Sequence, residues 1–445
     1  MKHLSRLIAC LLAALLLLLP LASCASSGGK ALLTLEKDGV KVSLPVNHYR
    51  LLLCRLKGAM IAGGASNGGG NASQDAFWDQ LDTAEGDDTL KTVDARCREQ
   101  ILENCKIYLA GLWYFKKNGL SLSEAAQANI AQAMDDLVAN FGNGSKTKLN
   151  AVLRSYGVNY DLLRSVYETE AKLETVQNFL YGENASKLET NVKDEYLNAH
   201  YLRFKQIYVP YFTYETVKDA NGDTIYYHPE TGRILYDDVK GYSHKDANGN
   251  YVTDANGDVV KYVSPTDSRV LYDRDGGIVK YTEKRIALTG SDLEAEQARA
   301  QDLFNAMKDA PDGEFEAKIA EENGASEFTD GYYLIRGTDY SGLEELVEGE
   351  LNDLSAIASL LENMEIGQTV KYESANGCNV IRRYQPTSGA YNMEVNEKVF
   401  ETFADGLMAE RFLLECAPLL PEIRVNEAVL AAAPTVKQSS PTNYF

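Results

Sequence analysis

The chain is poor in the residues that build metal centres and disulfide frameworks. It has 5 histidines in 445 residues, and no Cys-x-x-Cys pair occurs. The cysteines after Cys24 are odd in number and show no paired spacing: Cys54, Cys97, Cys105, Cys378 and Cys416. These absences argue against a metal cluster and a disulfide framework. Cys97 and Cys105 share one helical stripe, so we expect both to be small core residues.

Other chemistry is missing as well. No Gly-rich phosphate loop and no nucleophile with a recognisable base occurs, so we expect no cofactor. Positive charge is scarce, since 44 Lys and Arg face 64 Asp and Glu for a net charge of −20. That balance disfavours nucleic acid and anionic lipid as partners, and favours cationic or unfolded ones.

Only one long apolar run exists, and it lies at the start of the chain. It extends from Leu7 to Leu19, behind Lys2 and Arg6, and has the layout of a signal peptide. The sequence Leu-Ala-Ser-Cys at 21–24 resembles the bacterial lipobox, in which the Cys thiol is acylated and the chain is cut before it. An ordinary signal peptide with a chance cysteine is the alternative, and we favour the lipobox.

We therefore predict a signal peptide at 1–23 and a lipid-anchored tether at 24–30. Cys24 would carry the anchor, holding an exported protein on the outer face of the bacterial cytoplasmic membrane. About 420 residues follow, enough for two or three domains.

Helical patterns dominate the first half of the mature chain. A hairpin at 31–44 turns at Asp38-Gly39, a type I′ signal. A short helix at 46–57 and a Gly- and Ser-rich flexible loop at 58–75 follow. Helices are then predicted at 92–117, 121–140, 146–155, 159–181 and 192–200, the second opened by a capping box of Ser121 and Glu124.

Residues 213–285 repeat. The sequence Asp-Ala-Asn-Gly-Asp at 219–223 leads to Arg-Ile-Leu-Tyr-Asp at 233–237, and a second copy at 254–258 leads to Arg-Val-Leu-Tyr-Asp at 269–273. Each unit is a turn followed by alternating β-branched and aromatic residues. We predict a stack of β-hairpins.

The remaining pattern mixes strands and helices. Strands are predicted at 203–209, 332–335, 368–372, 379–384 and 422–425, with helices at 292–307, 315–323, 343–361 and 394–416. Without the repeats, residues 203–384 give the order strand, two helices, strand, helix, strand, strand. The fold class is therefore α+β.

This order resembles that of extracytoplasmic foldase lipoproteins and periplasmic chaperones of the parvulin-type peptidyl-prolyl isomerase class. The resemblance covers about 31–212 and 286–427. It is carried by short segments in a shared order and spacing: the helix opening at 117–124, the helix at 192–196, the first strand at 203–209, the helix at 315–320, and the last hairpin at 366–368 and 377–381.

The resemblance implies a helical chaperone-like domain formed by 31–200 plus 390–427. A parvulin-like α/β domain at 201–389 would be inserted in it, carrying the hairpin insert at 213–285, and 428–445 would be a tail. It implies a membrane-anchored foldase whose partners are unfolded or newly exported polypeptides.

The resemblance also bears on catalysis. Parvulins place a His on the first strand of the domain and another on the last, and the matching positions here are Gln206 and Asn379. Neither side chain titrates as His does, although both can donate and accept hydrogen bonds. We therefore expect peptidyl-prolyl isomerase activity to be weak or lost.

Two further candidates have plainer interpretations. His200 lies near the first strand, and we favour a residue at a helix C-terminus over a catalytic one. Asp219, Asn221, Asp223 and Glu230 echo a calcium loop, but Thr224 replaces the glycine that such a loop requires at its sixth position. We favour a plain hairpin turn and expect no metal.

A second reading of the whole chain stays open. The Tyr-rich repeats have no counterpart in the parvulin pattern, so the protein could be a non-enzymatic surface lipoprotein that binds a cell-wall polymer or a protein through 213–285.

Overall fold

The computed structural model describes residues 29–67, 70–82, 91–154, 158–215, 284–324, 328–338, 340 and 353–433, with four short strands between 226 and 272. It is a mixed α+β structure with several small antiparallel sheets, as the sequence predicts. No helix in the described ranges is both long and apolar enough to cross a membrane.

Helices dominate the first part of the chain, with elements numbered in chain order. They are β1 (Ala31–Lys37), β2 (Val40–Pro45), α1 (Val46–Ala62), β3 (Ser66–Asn67), β4 (Gly70–Asn71), α2 (Asp75–Trp78), β5 (Leu81–Asp82), β6 (Lys91–Thr92), α3 (Val93–Lys117), α4 (Glu124–Gly142), α5 (Lys146–Leu153), α6 (Tyr160–Tyr181) and α7 (Thr190–His200).

The middle part holds most of the strands. Its elements are β7 (Tyr201–Pro210), β8 (Phe212–Glu215), β9 (Tyr226–Tyr227), β10 (Ile234–Asp237), β11 (Tyr262–Val263), β12 (Val270–Tyr272), β13 (Lys284–Ala287), α8 (Gly290–Met307), α9 (Asp312–Asn323), β14 (Tyr332–Ile335), α10 (Leu354–Glu362), β15 (Thr369–Glu373) and β16 (Gly377–Tyr384).

The last described elements of the chain pack against the first ones. It contains α11 (Glu397–Phe400), α12 (Phe403–Cys416), β17 (Arg424–Val425) and α13 (Glu427–Ala431). β17 pairs antiparallel with β1, which pairs with β2 on its other edge. The Asp38-Gly39 turn has positive φ at both residues, 51° and 74°, as a type I′ turn requires. The domain limits at 31–200 plus 390–427 stay a prediction.

Three local expectations need correction. Helix α1 continues to Ala62, beyond the predicted end at Lys57, because Met60 is buried in the core. Helix α4 is capped by Ser123, whose hydroxyl accepts from the Ala126 N–H, and the predicted cap at Ser121 is wrong. The predicted helix at 394–416 begins only after Asn396, whose φ is 74°, and is divided in two between α11 and α12.

The sheet that contains Gln206 and Asn379 is four-stranded and antiparallel, with the order β14-β7-β16-β15. Leaving out β8 to β13, the chain runs strand, two helices, strand, helix, strand, strand, which is the predicted order of elements. β7 and β16 form its central pair, with Gly377 opposite Pro210 and Tyr384 opposite Arg203. This long pairing fixes which side chains share a face.

The repeats form two hairpins in the same register. In the first, Leu235 of β10 pairs with Tyr226 of β9, and in the second, Leu271 of β12 pairs with Tyr262 of β11. The hairpins join through β10 and β12, where Tyr236 lies opposite Tyr272. The partial copies at 246–252 and 275–281 lie outside the described residues. The repeats are therefore a four-stranded sheet with an internal two-fold relation, in line with the predicted hairpins.

Candidate functional site

The two positions that match the parvulin His pair lie on adjacent strands. Gln206 of β7 pairs with Ile381 of β16, and Asn379 pairs with Tyr208. Asn379 and Ile381 are two residues apart on one strand, so Gln206 and Asn379 point to the same face of the sheet. Diagonal neighbours of this kind lie about 7–8 Å apart, within reach of long side chains.

Both amides are buried and poorly satisfied. Asn379 is 0% exposed and Gln206 is 7% exposed. The Gln206 Oε1, Asn379 Oδ1 and Asn379 Nδ2 atoms have no hydrogen-bond partner among the described residues. Buried polar atoms without partners are rare in folded proteins and destabilise them unless water or a ligand binds there. The pair places unsatisfied polar atoms on a face that also carries Phe204 and Ile381.

The surroundings of the amide pair are apolar. Phe204 and Ile381 share its face and belong to the main core together with Ile357 and Leu361 of α10. The opposite face forms a second, smaller core with α8 and α9, in which Ile207 and Val380 pack with Phe315. The sheet thus separates two apolar layers, and the amides belong to the layer shared with the helical part.

The cysteines of the described chain are buried and are not disposed for nucleophilic chemistry. Burial raises the pKa of the Cys378 thiol, on the opposite face of β16, to about 11. Burial likewise raises the pKa of Cys54 to about 11 and that of Cys416 to about 12. Thiols with such pKa values are not ionised at neutral pH. Cys97 and Cys105 are core residues, as predicted.

One edge of β7 near Gln206 is bridged by a side chain. The Tyr208 N–H donates to Asn323 Oδ1 at 3.1 Å, and Asn323 Nδ2 donates to the Gln206 carbonyl at 3.3 Å. Asn323 is the last residue of α9 and is followed by Gly324, whose φ is positive at 78°. The sequence showed no signal of this contact, because an Asn before a Gly at a helix end is ordinary.

His200 does not join the amide pair. It is the last residue of α7, as predicted, and its Nε2 lies 2.7 Å from Glu410 Oε2 of α12. Its ring also packs against Tyr196, with centroids 4.2 Å apart. The contact with Glu410 ties α7 to α12.

Sequence reasoning missed a buried ionic cluster in the helical part. Arg55 of α1 donates to Glu170 of α6 at 2.5 Å, and the Tyr108 hydroxyl of α3 lies 3.4 Å from the same carboxylate oxygen. Burial raises the pKa of Glu170, while Arg55 and Tyr108 oppose that shift. A charged residue within the apolar run 51–60 was the signal that could have revealed it. The cluster joins three helices.

His48 lies beside this cluster and is 1% exposed. Its ring meets that of Tyr108 edge-on, with centroids 5.6 Å apart. Burial, with the positive charge of Arg55, lowers the pKa of His48 to about 3. The residue is therefore neutral in the folded protein at ordinary pH.

Other predicted sites fall elsewhere. Cys24 and the calcium-like set of Asp219, Asn221, Asp223 and Glu230 lie outside the described residues. Within the described ranges, no group of three or more His, Cys, Asp or Glu is placed to hold a metal ion.

Comparison with known proteins adds no relative. No protein family model matches the chain, and no curated protein matches it either.

Proposed function

We propose that the protein is a membrane-anchored extracytoplasmic foldase or chaperone that assists the folding of exported proteins. It carries a parvulin-like peptidyl-prolyl isomerase domain whose catalysis is weak or lost. One observation carries the proposal: Gln206 and Asn379, which match the positions of the parvulin His pair, share one face of the central strand pair.

The chemistry of that pair supports the second half of the proposal. Rotation about a peptide bond has a barrier of about 18–20 kcal/mol, and an X–Pro bond isomerises in tens of seconds or more without help. Two amides cannot change protonation as two histidines do. Asn379 is also fully buried, so its amide does not reach a proline bound at the surface. We expect a holdase that keeps the architecture of an isomerase.

The proposal is tested on the purified mature chain with Cys24→Ala, which removes the acylation site. It should delay the aggregation of a denatured model protein, since binding of unfolded chains is the proposed activity. If the protein neither delays aggregation nor binds unfolded chains, the proposal is wrong. On X–Pro peptides the expected rate equals the uncatalysed one, with a His-containing parvulin as the active control. A clear acceleration would assign a working isomerase instead.

A second candidate is a non-enzymatic surface lipoprotein that binds a cell-wall polymer or protein through the repeats. The observation that favours it is the matched register of the two hairpins, whose strands pair with Tyr236 opposite Tyr272 in the backbone register. Two copies of one unit in one sheet suit a repetitive ligand. Deleting the repeats should then abolish binding to isolated cell walls, and binding that survives the deletion would exclude this candidate.

A further inference from the structure

Strand β15 is the outer strand of the four-stranded sheet, and among the described strands it pairs only with β16. The Ser374 N–H donates to the Gly377 carbonyl at 2.9 Å, so this pair closes the hairpin between the two strands. Bonded and non-bonded pairs alternate along an antiparallel ladder. Lys371 and Glu373 occupy the non-bonded positions and therefore direct their N–H and C=O groups away from β16.

These outward main-chain groups are unpaired. None of the N–H and C=O groups of Lys371 and Glu373 has a hydrogen-bond partner in the described part of the chain. Residues 353–433 are described without a gap, so the segments that flank β15 on both sides are known. The side chains of Lys371 and Glu373 are 23% and 43% exposed. The end of β15 thus offers two donors and two acceptors at the surface.

The charges along this edge alternate in sign. Lys371 and Glu373 are two residues apart, so their side chains share one face of the sheet, where Lys371 Nζ lies 2.8 Å from Glu373 Oε1. Lys371 Nζ also donates to Gln301 Oε1 of α8 at 2.7 Å, so this is the face that carries α8. Tyr372 lies between them and belongs to the other face. A strand with this pattern is complementary to an antiparallel copy of itself.

We propose that two copies of the chain pair antiparallel through the outer edge of β15, about a two-fold axis at Tyr372, and so join their sheets into one. In this register, Lys371 of each copy lies opposite Glu373 of the other copy. Each of these two pairs exchanges both of its main-chain hydrogen bonds. The two Tyr372 residues are opposite each other at the axis, on the face without the charges. The interface is isologous, as a two-fold dimer requires.

The charge pattern favours a second copy over an unfolded client at this edge. A client of arbitrary sequence can use the main-chain groups, but it does not supply a matching anion and cation at alternate positions. The charges also select one register, because an axis at Lys371 would place two lysines opposite each other. One pair of strand edges is smaller than a standard protein interface, so the dimer should be weak, with a Kd on the order of 0.1 mM.

Sedimentation equilibrium of the Cys24→Ala chain, at concentrations on both sides of that Kd, measures the dimer. Lys371→Glu places four acidic side chains around the axis and should weaken dimerisation about tenfold or more. Glu373→Lys places four basic ones there and should have the same effect. The double variant with both substitutions restores opposite charges in the same register, so it should recover the affinity of the parent chain.

A cysteine at the axis gives a second measurement that does not depend on charge. In Tyr372→Cys, the two Cα atoms at the axis would lie about 4.5 Å apart, within the range of a disulfide, so mild oxidation should link two chains. The matched control is Ile366→Cys, which is exposed but lies before the strand begins, so its two copies would be too far apart to bridge. This measurement also serves if a charge variant does not fold.

Three results would overturn the proposal. The first is a parent chain that stays monomeric, with no linked dimer of Tyr372→Cys. The second is a dimer that neither single charge reversal weakens, because its interface would then lie elsewhere. The third uses reduced, carboxymethylated α-lactalbumin, which stays unfolded, as a probe. If the probe protects the Lys371 and Glu373 amides from hydrogen exchange while the chain remains monomeric, the edge takes a client instead of a second copy.

Discussion

Asn379 lies diagonally across the central strand pair from Gln206, and three of the polar atoms of the two amides have no hydrogen-bond partner in the described part of the chain. A fully buried Asn with both amide atoms unpaired lowers stability by roughly 1–3 kcal/mol. The pair therefore opposes folding at the centre of the sheet.

Substituting Asn379→Leu should raise the free energy of unfolding by about 1–3 kcal/mol, because it removes the unpaired amide from an apolar layer. Urea unfolding measures the change, with Ile381→Val on the same face as a matched control that should lose about 1 kcal/mol. A destabilised Asn379→Leu protein would mean that the amide has partners and contributes to stability.

Removing one partner of the Arg55–Glu170 pair should destabilise the protein strongly, whereas replacing both partners by apolar residues should destabilise it little. Glu170→Leu removes the carboxylate that balances the buried Arg55 guanidinium and should lower the free energy of unfolding by about 3–5 kcal/mol. Combining it with Arg55→Met should recover most of that loss. Glu103→Ala, which removes an exposed pair with Lys106, is the control and should change stability by less than about 0.5 kcal/mol. A double variant as unstable as the single one would contradict the argument.

Stability should fall in acid because of His48. Its pKa is about 3 in the folded protein and 6.5 ordinarily, so the unfolded chain binds an extra proton between these values. The free energy of unfolding therefore falls as pH drops from 6.5 towards 3, by up to about 1.4 kcal/mol per pH unit. His48→Gln should remove this part of the acid dependence, and an unchanged pH profile would refute it.

Glu168 should have the opposite effect on the pH dependence of stability: its contribution decreases as the pH rises. Burial raises its pKa to about 7, from an ordinary 4.5, so the folded state holds the extra proton between pH 4.5 and 7. Its contribution is present below pH 4.5 and is lost as pH rises to 7. Glu168→Gln should therefore flatten that loss while leaving the effect of His48 in place. Thermal melts between pH 3 and 8 on the two single variants and the double variant separate the contributions.

The element order could be read from the sequence because it depends on local patterns. Helix α3 was predicted at 92–117 and lies at Val93–Lys117, with Thr92 as its cap, since its apolar spacing and Asn118-Gly119 stop are short-range signals. The strands that carry Gln206 and Asn379 were each predicted from their own sequence pattern. The burial of the two amides could not be predicted in this way, because exposure depends on elements distant in sequence.

Contacts between residues far apart in the sequence could not be predicted from the sequence. Arg55 and Glu170 are 115 residues apart, and Asn323 meets Tyr208 across another 115. Each of these residue types is ordinary at its own position, so only the folded arrangement gives it a role. The predicted cap at Ser121 failed for a related reason. Only Ser121 has a Glu three residues later, yet Ser123 is the cap, because the path of the chain decides where the helix begins.

The insert should be removable without loss of the rest. Glu215 of β8 pairs with Lys284 of β13, so residues 216–283 enter and leave at adjacent backbone positions. Replacing them by Asn-Gly gives a two-residue hairpin turn that closes this pair. We expect the shortened protein to keep its thermal midpoint within a few degrees and to retain any binding of unfolded chains. Unfolding on deletion would show that the repeats stabilise the sheet.

Cys24 should decide where the protein resides. In the producing bacterium, Cys24→Ser should abolish incorporation of labelled fatty acid and move the protein from the membrane to the soluble fraction. The Cys54→Ser variant, which changes a buried core thiol, is the matched control and should still be labelled. Membrane association that persists in Cys24→Ser would contradict the anchor.

The pairing of β1 with β17 has a consequence for the order in which the protein folds. The two strands lie at opposite ends of the described chain, with Leu33 opposite Val425, and synthesis delivers the N-terminal one first. The edge of β1 that faces away from β2 therefore stays unpaired until Arg424 and Val425 of β17 have been synthesised. Contacts of such long sequence separation form late. A protein proposed to shelter unfinished chains thus passes through an unfinished state of its own.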